Sequence, residues 1–380
     1  MSGRRLGIAP PFLATRGALL LVGLLASRLL VSGLTLQKGN LVYHRPGPVA
    51  LEVWARWDAE WYLLIAEQGY HSDAFFLDRP VAYSPEDATG FFPLYPLLTR
   101  VGTLLGLSAL CAGVLVSNLA LLLGLWFLRD LAARDFGEDA AEAALWVLVT
   151  FPTSFFLSAV YAESLMLAGA LGALRAARDG RPWAAGLWGA IATLARPTGI
   201  LVMVPLVDEL LLARRAHPGP RGASRLAALA LPPGALAGYM LYCRASFGSF
   251  APFLARQERW RGAFSGPWRA FTRYLEAPHL HDAHHSTIDL AFALFLVASI
   301  PFLFRRLPRS YALYGALAIL LPLCSTLWSF ARFAATVFPV TILIALWAAR
   351  SRGRLLTYLA TALPLSGFFM ALYAAWWWVG

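Results

Sequence analysis

Residues 109–128 read ALCAGVLVSNLALLLGLWFL and form an apolar stretch of twenty residues without a charged side chain. A helix needs about 20 apolar residues to cross the hydrocarbon core of a bilayer, which is about 30 Å thick. Similar stretches recur from about residue 17 to the end of the sequence, which is 59% hydrophobic and only 14% charged. The sequence therefore predicts an all-α polytopic membrane protein, with residues 1–380 forming a single integral membrane domain.

The net charge of +11 comes almost wholly from arginine, because Lys38 is the only lysine. These arginines lie in short segments between apolar stretches, and the positive-inside rule explains that pattern better than nucleic-acid binding does. Arg4, Arg5 and Arg16 then place the N-terminus in the cytoplasm. The pattern predicts about 11 transmembrane helices of roughly 20 residues, with the C-terminus on the external side.

Two predicted external loops are long enough to carry a functional site, at residues 37–90 and 245–286. The first holds eight of the 21 acidic residues. Residues 91–107 are apolar enough to enter the membrane, but a full crossing there would place every later arginine cluster outside. We therefore predict a short re-entrant or interfacial helix at that point. Residues 140–157 and 162–178 are predicted to be spans that are joined by an external turn.

The segment 56–70, RWDAEWYLLIAEQGY, sets carboxylates among aromatic side chains just after the first apolar stretch. Its apolar residues follow helical spacing, which predicts a helix lying in the membrane interface with one apolar stripe. Asp58 lies beside that stripe, with Trp61 and Tyr62 one turn away. A partly desolvated carboxylate can serve as the general base in sugar transfer with inversion. The alternative is that Asp58 belongs to the solvated face of the helix.

Further ionisable residues lie where the predicted external loops meet the spans. Glu86 precedes an apolar segment, and Glu163 begins a span, although a solvated turn or a helix cap explains either one equally well. Arg196 and Arg332 lie at the same predicted level. A guanidinium there can hold a lipid phosphate by paired hydrogen bonds, or it can simply extend to lipid headgroups.

The second predicted loop mixes basic and aromatic residues. Arg256 and Trp260 suit a phosphate and a sugar ring, but they equally suit an amphipathic helix on anionic lipid. A polar group follows at His279, His281, Asp282, His284 and His285. Its spacing allows either a metal site or an exposed polar turn, and we expect the exposed turn.

Four motifs, taken in order, resemble those of the GPI mannosyltransferase 2 (PIG-V) family, and the similarity extends over most of the sequence. They are Trp57-Asp58-x-x-Trp61-Tyr62, then Glu86 before Phe91-Phe92-Pro93-x-Tyr95-Pro96, then Phe151-Pro152 up to Tyr161-x-Glu163-Ser164, then Arg196-Pro197-x-Gly199, with Arg332-Phe333 later in the sequence. That family belongs to the GT-C superfamily of integral membrane glycosyltransferases, which take sugar from a polyprenyl- or dolichyl-phosphate donor on the non-cytoplasmic face.

The resemblance implies an inverting mannosyltransferase, with Asp58 as the catalytic base and Glu86 as the second acidic residue of the site. We expect a further set of residues to bind the phosphate and sugar of the donor, namely Arg196, Arg256, Arg332, Trp57, Trp61, Tyr62, Tyr161, Glu163 and Trp260. No metal or cofactor is expected, because the leaving group carries a single phosphate and the sequence has no glycine-rich nucleotide loop.

The expected partners are a polyprenyl-phosphate sugar, membrane lipid and an acceptor that is an unknown lipid, glycan or protein; nucleic acid is not expected. An arginine-rich sequence with short loops indicates a bacterial protein of the plasma membrane, with its active site outside. The alternative function is a lipid or solute transporter or flippase, since charges such as Arg28, Glu163, Asp208 and Glu209 could line a pathway. Transporters often have paired halves with matching broken segments, and no such repeat is evident in this sequence.

Overall fold

The structure, a computed structural model, describes residues 7–33, 46–71, 85–216, 226–280 and 285–380. Several predictions lie outside the described residues: the cytoplasmic Arg4 and Arg5, parts of the first external loop at 37–45 and 72–84, and three members of the polar group, His281, Asp282 and His284.

The described chain folds into α-helices of very different lengths. Those of the first half are α1 (Ala9–Leu29), α2 (Val49–Glu52), α3 (Ala59–Gln68), α4 (Leu94–Leu104), α5 (Ala109–Phe136), α6 (Glu138–Thr150), α7 (Glu163–Arg178), α8 (Pro182–Ala195) and α9 (Met203–Ala216). Those of the second half are α10 (Leu231–Phe247), α11 (Pro252–Arg261), α12 (Trp268–Glu276), α13 (Thr287–Arg306), α14 (Arg309–Leu323), α15 (Phe330–Ala334), α16 (Phe338–Ala348) and α17 (Arg352–Ala374). Short 3₁₀ segments lie at Pro85–Gly90, Ser154–Leu157, Pro197–Val202 and Ala228–Ala230.

Four of the described helices are long and apolar enough to cross a membrane, namely α1, α5, α13 and α17. Two shorter apolar helices, α14 and α16, lie beside them in the sequence. This architecture confirms the predicted all-α polytopic membrane fold. The predicted total of about 11 crossings stays a prediction, because most other helices are shorter than a bilayer is thick.

The helices α6 and α7 reach only part of the way along the bundle. The 28 residues of α5 extend about 42 Å, whereas the 16 residues of α7, which packs against α5, extend about 24 Å. Between α6 and α7, every residue of 151–162 except Pro152 is buried in the protein. The predicted span over 140–157 is therefore wrong in its length, because α6 ends at Thr150 and the segment that follows, with its short 3₁₀ helix Ser154–Leu157, is buried in the bundle. The external side of this turn stays a prediction.

Prolines explain two of the helix ends near this segment. A residue that precedes proline is driven out of the helical region, and Phe151 (φ −51°, ψ 138°) and Arg196 (φ −152°, ψ 151°) each precede one. After the second break, a Cβ atom on Gly199 would lie 1.8 Å from the carbonyl oxygen of Ala192. Only glycine allows the backbone to turn back so closely on α8.

Arg16 on α1 satisfies the backbone of the buried segment. Its Nη2 donates to the carbonyl of Val149 at 2.6 Å, and its Nη1 donates to the carbonyl of Ser154 at 2.9 Å. Non-helical backbone is tolerated within a membrane protein only where such partners exist. Arg16 was predicted as a marker of the cytoplasmic side, but it is a buried structural residue that is 7% exposed.

The helix α3 lies in the protein interior, whereas α4 lies at its edge. All residues from 59 to 66 of α3 are buried, since α3 packs on both α4 and α5. The predicted one-sided apolar stripe is therefore wrong for α3, whereas its position at the membrane interface stays a prediction. By contrast, the 11 residues of α4 extend only about 16 Å, which agrees with the predicted short helix within 91–107.

Candidate active site

Asp58 lies directly before the first residue of α3. Its Oδ2 accepts a hydrogen bond of 2.6 Å from Nη1 of Arg332, which lies 274 residues later in the chain. The side chain of Asp58 is 32% exposed, whereas that of Arg332 is 8% exposed. The carboxylate is thus oriented by a buried guanidinium and is still accessible to a reactant.

Glu163, the first residue of α7, joins two arginines inside the protein. Its side chain is fully buried, its Oε1 accepts a hydrogen bond from Nη1 of Arg196, and the same oxygen lies 3.3 Å from Nε of Arg332. Buried charges are tolerated only when they are paired. We call Asp58, Glu163, Arg196 and Arg332 the acid–arginine cluster, and it brings together four of the residues that the sequence predicted.

Strained backbone surrounds this cluster. Within the described ranges, three residues other than glycine have positive φ: Trp57 (56°), Ser329 (71°) and Trp376 (65°). Trp57 precedes Asp58, Ser329 lies three residues before Arg332, and the Trp376 ring lies 6.0 Å from that of Trp57. Each such residue costs about 1–3 kcal/mol, and such strain concentrates at functional sites.

Aromatic rings form one wall of the cluster. The guanidinium of Arg332 lies 5.5 Å from the ring centre of Tyr161 and 5.4 Å from that of Trp378. Tyr62 packs 6.4 Å from Tyr161, and Trp57 packs edge-on at 5.8 Å from Trp378. The predicted residues Trp57, Tyr62 and Tyr161 therefore all adjoin the acid–arginine cluster. Trp378 was not predicted.

Arg261, the last residue of α11, also reaches this site. The guanidiniums of Arg196, Arg261 and Arg332 surround one ring, that of Phe333, at 5.4, 5.1 and 5.3 Å from its centre. The sequence did not single out Arg261, because nothing in it distinguishes this arginine from Arg256 five residues earlier. Only the packing of α11 on the turn before α15 does so.

Arg261 adds a third guanidinium beside the two carboxylates of the cluster. Arg261 donates to the carbonyl of Trp328 at 2.9 Å and to the hydroxyl of Ser325 at 3.2 Å, and neither partner is charged. Burial, followed by repulsion from Arg332, lowers the pKa of Arg261 to about 9. Three guanidiniums with the two carboxylates of the cluster form a site suited to an anion with several oxygens.

The predicted Arg256 and Trp260 lie in a different arrangement. Arg256 pairs with Asp87 at 3.1 Å, both side chains are 3% exposed, and the guanidinium lies 3.4 Å from the ring centre of Trp260. Trp61 adjoins this pair, with its ring centre 6.3 Å from that of Trp260. These residues tie the second loop to the first, and the structure does not bring Arg256 into the acid–arginine cluster.

Glu86 differs from its neighbour Asp87 in the same 3₁₀ segment. The side chain of Glu86 is exposed and makes no hydrogen bond or ion pair with the residues that the structure describes. Asp87 points inward and pairs with Arg256 and Arg259, both at 3.1 Å. The sequence pointed to Glu86, which faces outward. Adjacent residues in a tight turn face different ways, and the sequence alone does not reveal which of the two faces inward.

Two members of the predicted polar group, His279 and His285, lie within the described residues. The rings of His279 and His285 lie 6.3 Å apart, and a backbone bridge joins His279 to Ser286. Among described residues, no group of three or more histidines, cysteines or acids is arranged to hold a metal. The choice between a metal site and an exposed turn depends on residues outside the described ranges.

An apolar cavity of about 540 Å³ lies between α3, α4, α8 and α10. Its lining is mostly hydrocarbon and aromatic, and it includes Ile65, Leu97, Tyr239 and Tyr242, with Arg100 as the only charged residue among the described lining residues. This volume is typical of sites that bind small molecules. The cavity adjoins the later turns of α3, whereas Asp58 lies at the beginning of that helix.

Comparison with known sequences gives a consistent match in the same region. Residues 48–211 match the family described as Mannosyltransferase (PIG-V). The chain is 33% identical over 159 residues to GPI alpha-1,6-mannosyltransferase 2 of Mus musculus and 31% identical over 159 residues to that of Homo sapiens. Each alignment covers 39% of this chain and 29% of the relative, so the chain matches less than a third of the length of these relatives.

Comparison with solved structures gives the fold. ArnT from Cupriavidus metallidurans in the apo state superposes with a TM-score of 0.51 at 17% identity, over 91% of this chain and 61% of ArnT. ArnT bound to undecaprenyl phosphate gives a TM-score of 0.49 at 19% identity, over 92% of this chain and 63% of ArnT. The matched sequence carries Asp58, Glu163 and Arg196, and the fold is shared with ArnT. Residues 48–211 of this chain are therefore similar to the PIG-V mannosyltransferases, and the chain shares its fold with ArnT.

Proposed function

We propose that the protein is an inverting mannosyltransferase, which moves mannose from a polyprenyl-phosphate donor to an acceptor hydroxyl on the external face of a bacterial plasma membrane. The observation that carries this proposal is the contact between Asp58, an accessible carboxylate, and the buried Arg332, which is one of three guanidiniums around Phe333. The family match supports mannose as the sugar. The apolar helices support a substrate that is itself held in a membrane.

In the proposed reaction Asp58 accepts the proton of the acceptor hydroxyl while the hydroxyl oxygen attacks the anomeric carbon. The bond between that carbon and the phosphate oxygen breaks, so the configuration inverts and the lipid phosphate leaves with the bonding electrons. Arg332 orients the carboxylate before the attack. Arg196, Arg261 and Arg332 stabilise the charge of the departing phosphate through charge-assisted hydrogen bonds. The scheme needs no metal, because the leaving group carries a single phosphate.

For Arg256 we propose a role that differs from the one expected from the sequence. Its charge is balanced by Asp87 in a buried pair, and its guanidinium is stacked on Trp260. We propose that Arg256 holds the second loop against the first, while Arg261, at the end of the same helix, contacts the donor phosphate.

A transporter or flippase is less well supported. The charged residues named for a pathway lie apart: Glu163 pairs with Arg196, whereas Glu209 pairs with Arg178 at 2.9 Å at the far end of α7. Arg28 is exposed on α1. No described contact joins these groups into one route, and the family match is to transferases.

The test is sugar transfer by membranes that contain the protein. The membranes are incubated with radiolabelled polyprenyl-phosphate mannose and, separately, with the glucose analogue of that donor, and lipid, glycan and protein fractions are then counted for label. We expect label from the mannose donor in one acceptor fraction, and membranes without the protein should show none. Failure to transfer sugar from any such donor to any fraction would refute the proposed function.

Arg261 offers a separate prediction about donor binding. Arg261→Gln removes one guanidinium from the three around Phe333, and charge-assisted hydrogen bonds are worth about 1.5–3 kcal/mol, so the KM for the donor should rise about 10- to 100-fold. The control is Arg259→Gln on the same helix, because Arg259 is 61% exposed. Steady-state kinetics with varied donor distinguishes the two variants. Equal effects of both substitutions would contradict a role for Arg261 in binding phosphate.

The apolar cavity gives a second prediction, which concerns a lipid chain. A side chain at Gly238, a lining residue with open space around its Cβ position, would enter the cavity. If the cavity holds a substrate chain, Gly238→Leu should raise the KM of a lipid substrate about tenfold, since a few displaced CH₂ groups are worth about 0.8 kcal/mol each.

The matched control is Gly234→Leu, one turn earlier on α10. Gly234 has equally open surroundings but does not line the cavity. Kinetics with short-chain and long-chain donors and acceptors identifies which substrate occupies the cavity. Unchanged kinetics for Gly238→Leu with every lipid substrate would mean that no reacting lipid uses it.

A further inference from the structure

Asp289 is a buried carboxylate that has no part in the scheme above. It is the third residue of α13, its side chain is fully buried, and its own backbone N–H donates to the hydroxyl of Ser286 at 3.0 Å. A charged group is costly to remove from water unless it gains strong partners. Besides Ser286 at the start of its own helix, the carboxylate of Asp289 has a partner on another helix.

The carboxylate of Asp289 caps α15, the short helix that carries Arg332. Its Oδ1 accepts a hydrogen bond of 2.8 Å from the backbone N–H of Ala331, which is the second residue of α15. The first N–H groups of any helix lack partners within the helix, and a side chain normally caps them from the preceding residue. That residue is Ser329, and its side chain makes no capping bond.

The backbone conformation explains why a cap from elsewhere in the chain is needed. Ser329 has φ 71° and ψ 17°, a left-handed conformation that favours glycine. A five-residue helix that begins with a strained residue is unstable alone, because helix nucleation is unfavourable and few intrahelical bonds form. Contact with α13 must therefore keep α15 in place, and Asp289 supplies a charged hydrogen bond at that contact.

Arg332 directly follows Ala331, the residue whose backbone N–H donates to Asp289. Its guanidinium contacts both Asp58 at 2.6 Å and Glu163 at 3.3 Å, so a small shift of α15 would break one or both contacts. Asp289 is also close enough to Arg261 to attract it electrostatically. One buried carboxylate thus acts on two of the three guanidiniums around Phe333 without belonging to the exposed part of the site.

We propose that Asp289 is a positioning residue of the transferase: by capping α15 from α13, it holds Arg332 where it can contact both Asp58 and the phosphate of the donor. This inference rests on the proposed function. In this proposal Asp289 keeps the phosphate site in its binding arrangement without contacting the substrate.

The test measures phosphate binding and turnover in purified full-length protein. A polyprenyl monophosphate without sugar is titrated against the wild type, Asp289→Ala, Asp289→Asn and Arg332→Ala in detergent, with donor kinetics alongside. We expect Asp289→Ala to weaken phosphate binding and to lower kcat/KM about tenfold or more. Asp289→Asn retains an oxygen that can accept from Ala331, so it should recover most of the affinity. The control is Ser299→Ala, a buried polar substitution farther along α13, and it should change neither quantity.

A double-mutant cycle separates positioning from a general loss of stability. If Asp289 acts through Arg332, the alanine substitution at 289 should add less than about twofold to the binding defect of Arg332→Ala. The inference would be overturned if the binding defect of the double variant equalled the product of the two single defects, or if Asp289→Ala bound phosphate like the wild type. If Asp289→Ala does not fold, Asp289→Gln replaces it in the cycle, because the longer side chain moves the acceptor oxygen away from Ala331.

The two proposals fail in different ways. If the wild type transfers no sugar, the proposed function fails whatever the variants bind. If the wild type is active and the alanine variant at 289 binds phosphate and turns over normally, only the role of Asp289 fails.

Discussion

Replacement of Asp58 by asparagine is expected to lower kcat about 10²- to 10⁴-fold, which is the usual contribution of a general base. The amide can still accept a hydrogen bond from Arg332, so the fold and the donor KM should change little. A loss of kcat without a matching rise in KM would mean that the carboxylate acts in the transition state rather than in donor binding. Transfer of radiolabelled mannose from the polyprenyl-phosphate donor, measured at saturating donor, provides the value.

The control for Asp58 is Glu86→Gln. Both residues are acids of the first loop, but Glu86 is exposed and contacts none of the acid–arginine cluster. Near wild-type turnover is expected for this variant. Full activity of Asp58→Asn would rule out the proposed base. Equal losses in both variants would assign the chemistry to two carboxylates and would restore the role that the sequence motif implied for Glu86.

Glu163→Gln is expected to have the largest effect on stability. Its single buried carboxylate is shared by two guanidiniums, and loss of its charge leaves Arg196, which is 14% exposed, without an anionic partner. Breaking a buried pair from one side costs about 3–5 kcal/mol, because a desolvated charge is left unpaired. Thermal unfolding in detergent should therefore begin at a clearly lower temperature, and transfer activity should fall as well.

The matched control for this substitution is Glu138→Gln at the start of α6. Glu138 also pairs with an arginine, Arg129 at 2.6 Å, but its side chain is 47% exposed. A surface pair is worth about 0–1 kcal/mol, so its loss should barely change unfolding. Equal shifts for Glu163→Gln and Glu138→Gln would contradict the buried bridge. Partial rescue of Glu163→Gln by added polyprenyl phosphate would support it, because that phosphate supplies the missing negative charge.

Several features could be predicted because they depend on local sequence. Apolar length alone indicates that α1, α5, α13 and α17 suit a membrane. Proline at 152 and at 197 marks the two chain breaks beside Glu163 and Arg196, since the residue before a proline leaves the helical region. The short helix α4 was also predictable, from arginine clusters that a full crossing would misplace.

Other features could not be predicted, because a pattern in the sequence does not state which face becomes buried. The spacing of apolar residues in α3 suggested one apolar face, yet α4 and α5 both pack on this helix and all its residues from 59 to 66 are buried. The outward Glu86 and the inward Asp87 are neighbours with the same charge. Arg256 and Arg261 lie on one helix, but only Arg261 reaches the ring of Phe333.

The sequence by itself determined that this protein is an all-α membrane protein, and its ordered motifs indicated a mannosyltransferase with Asp58 as the base. Apolar stretches, proline breaks and the order of the motifs can be read from the sequence, because each depends on residues that are close together in the chain. The tertiary structure alone decided which acid meets which arginine. The contact between Asp58 and Arg332 joins residues 274 positions apart, and its strength depends on burial that only the assembled bundle provides.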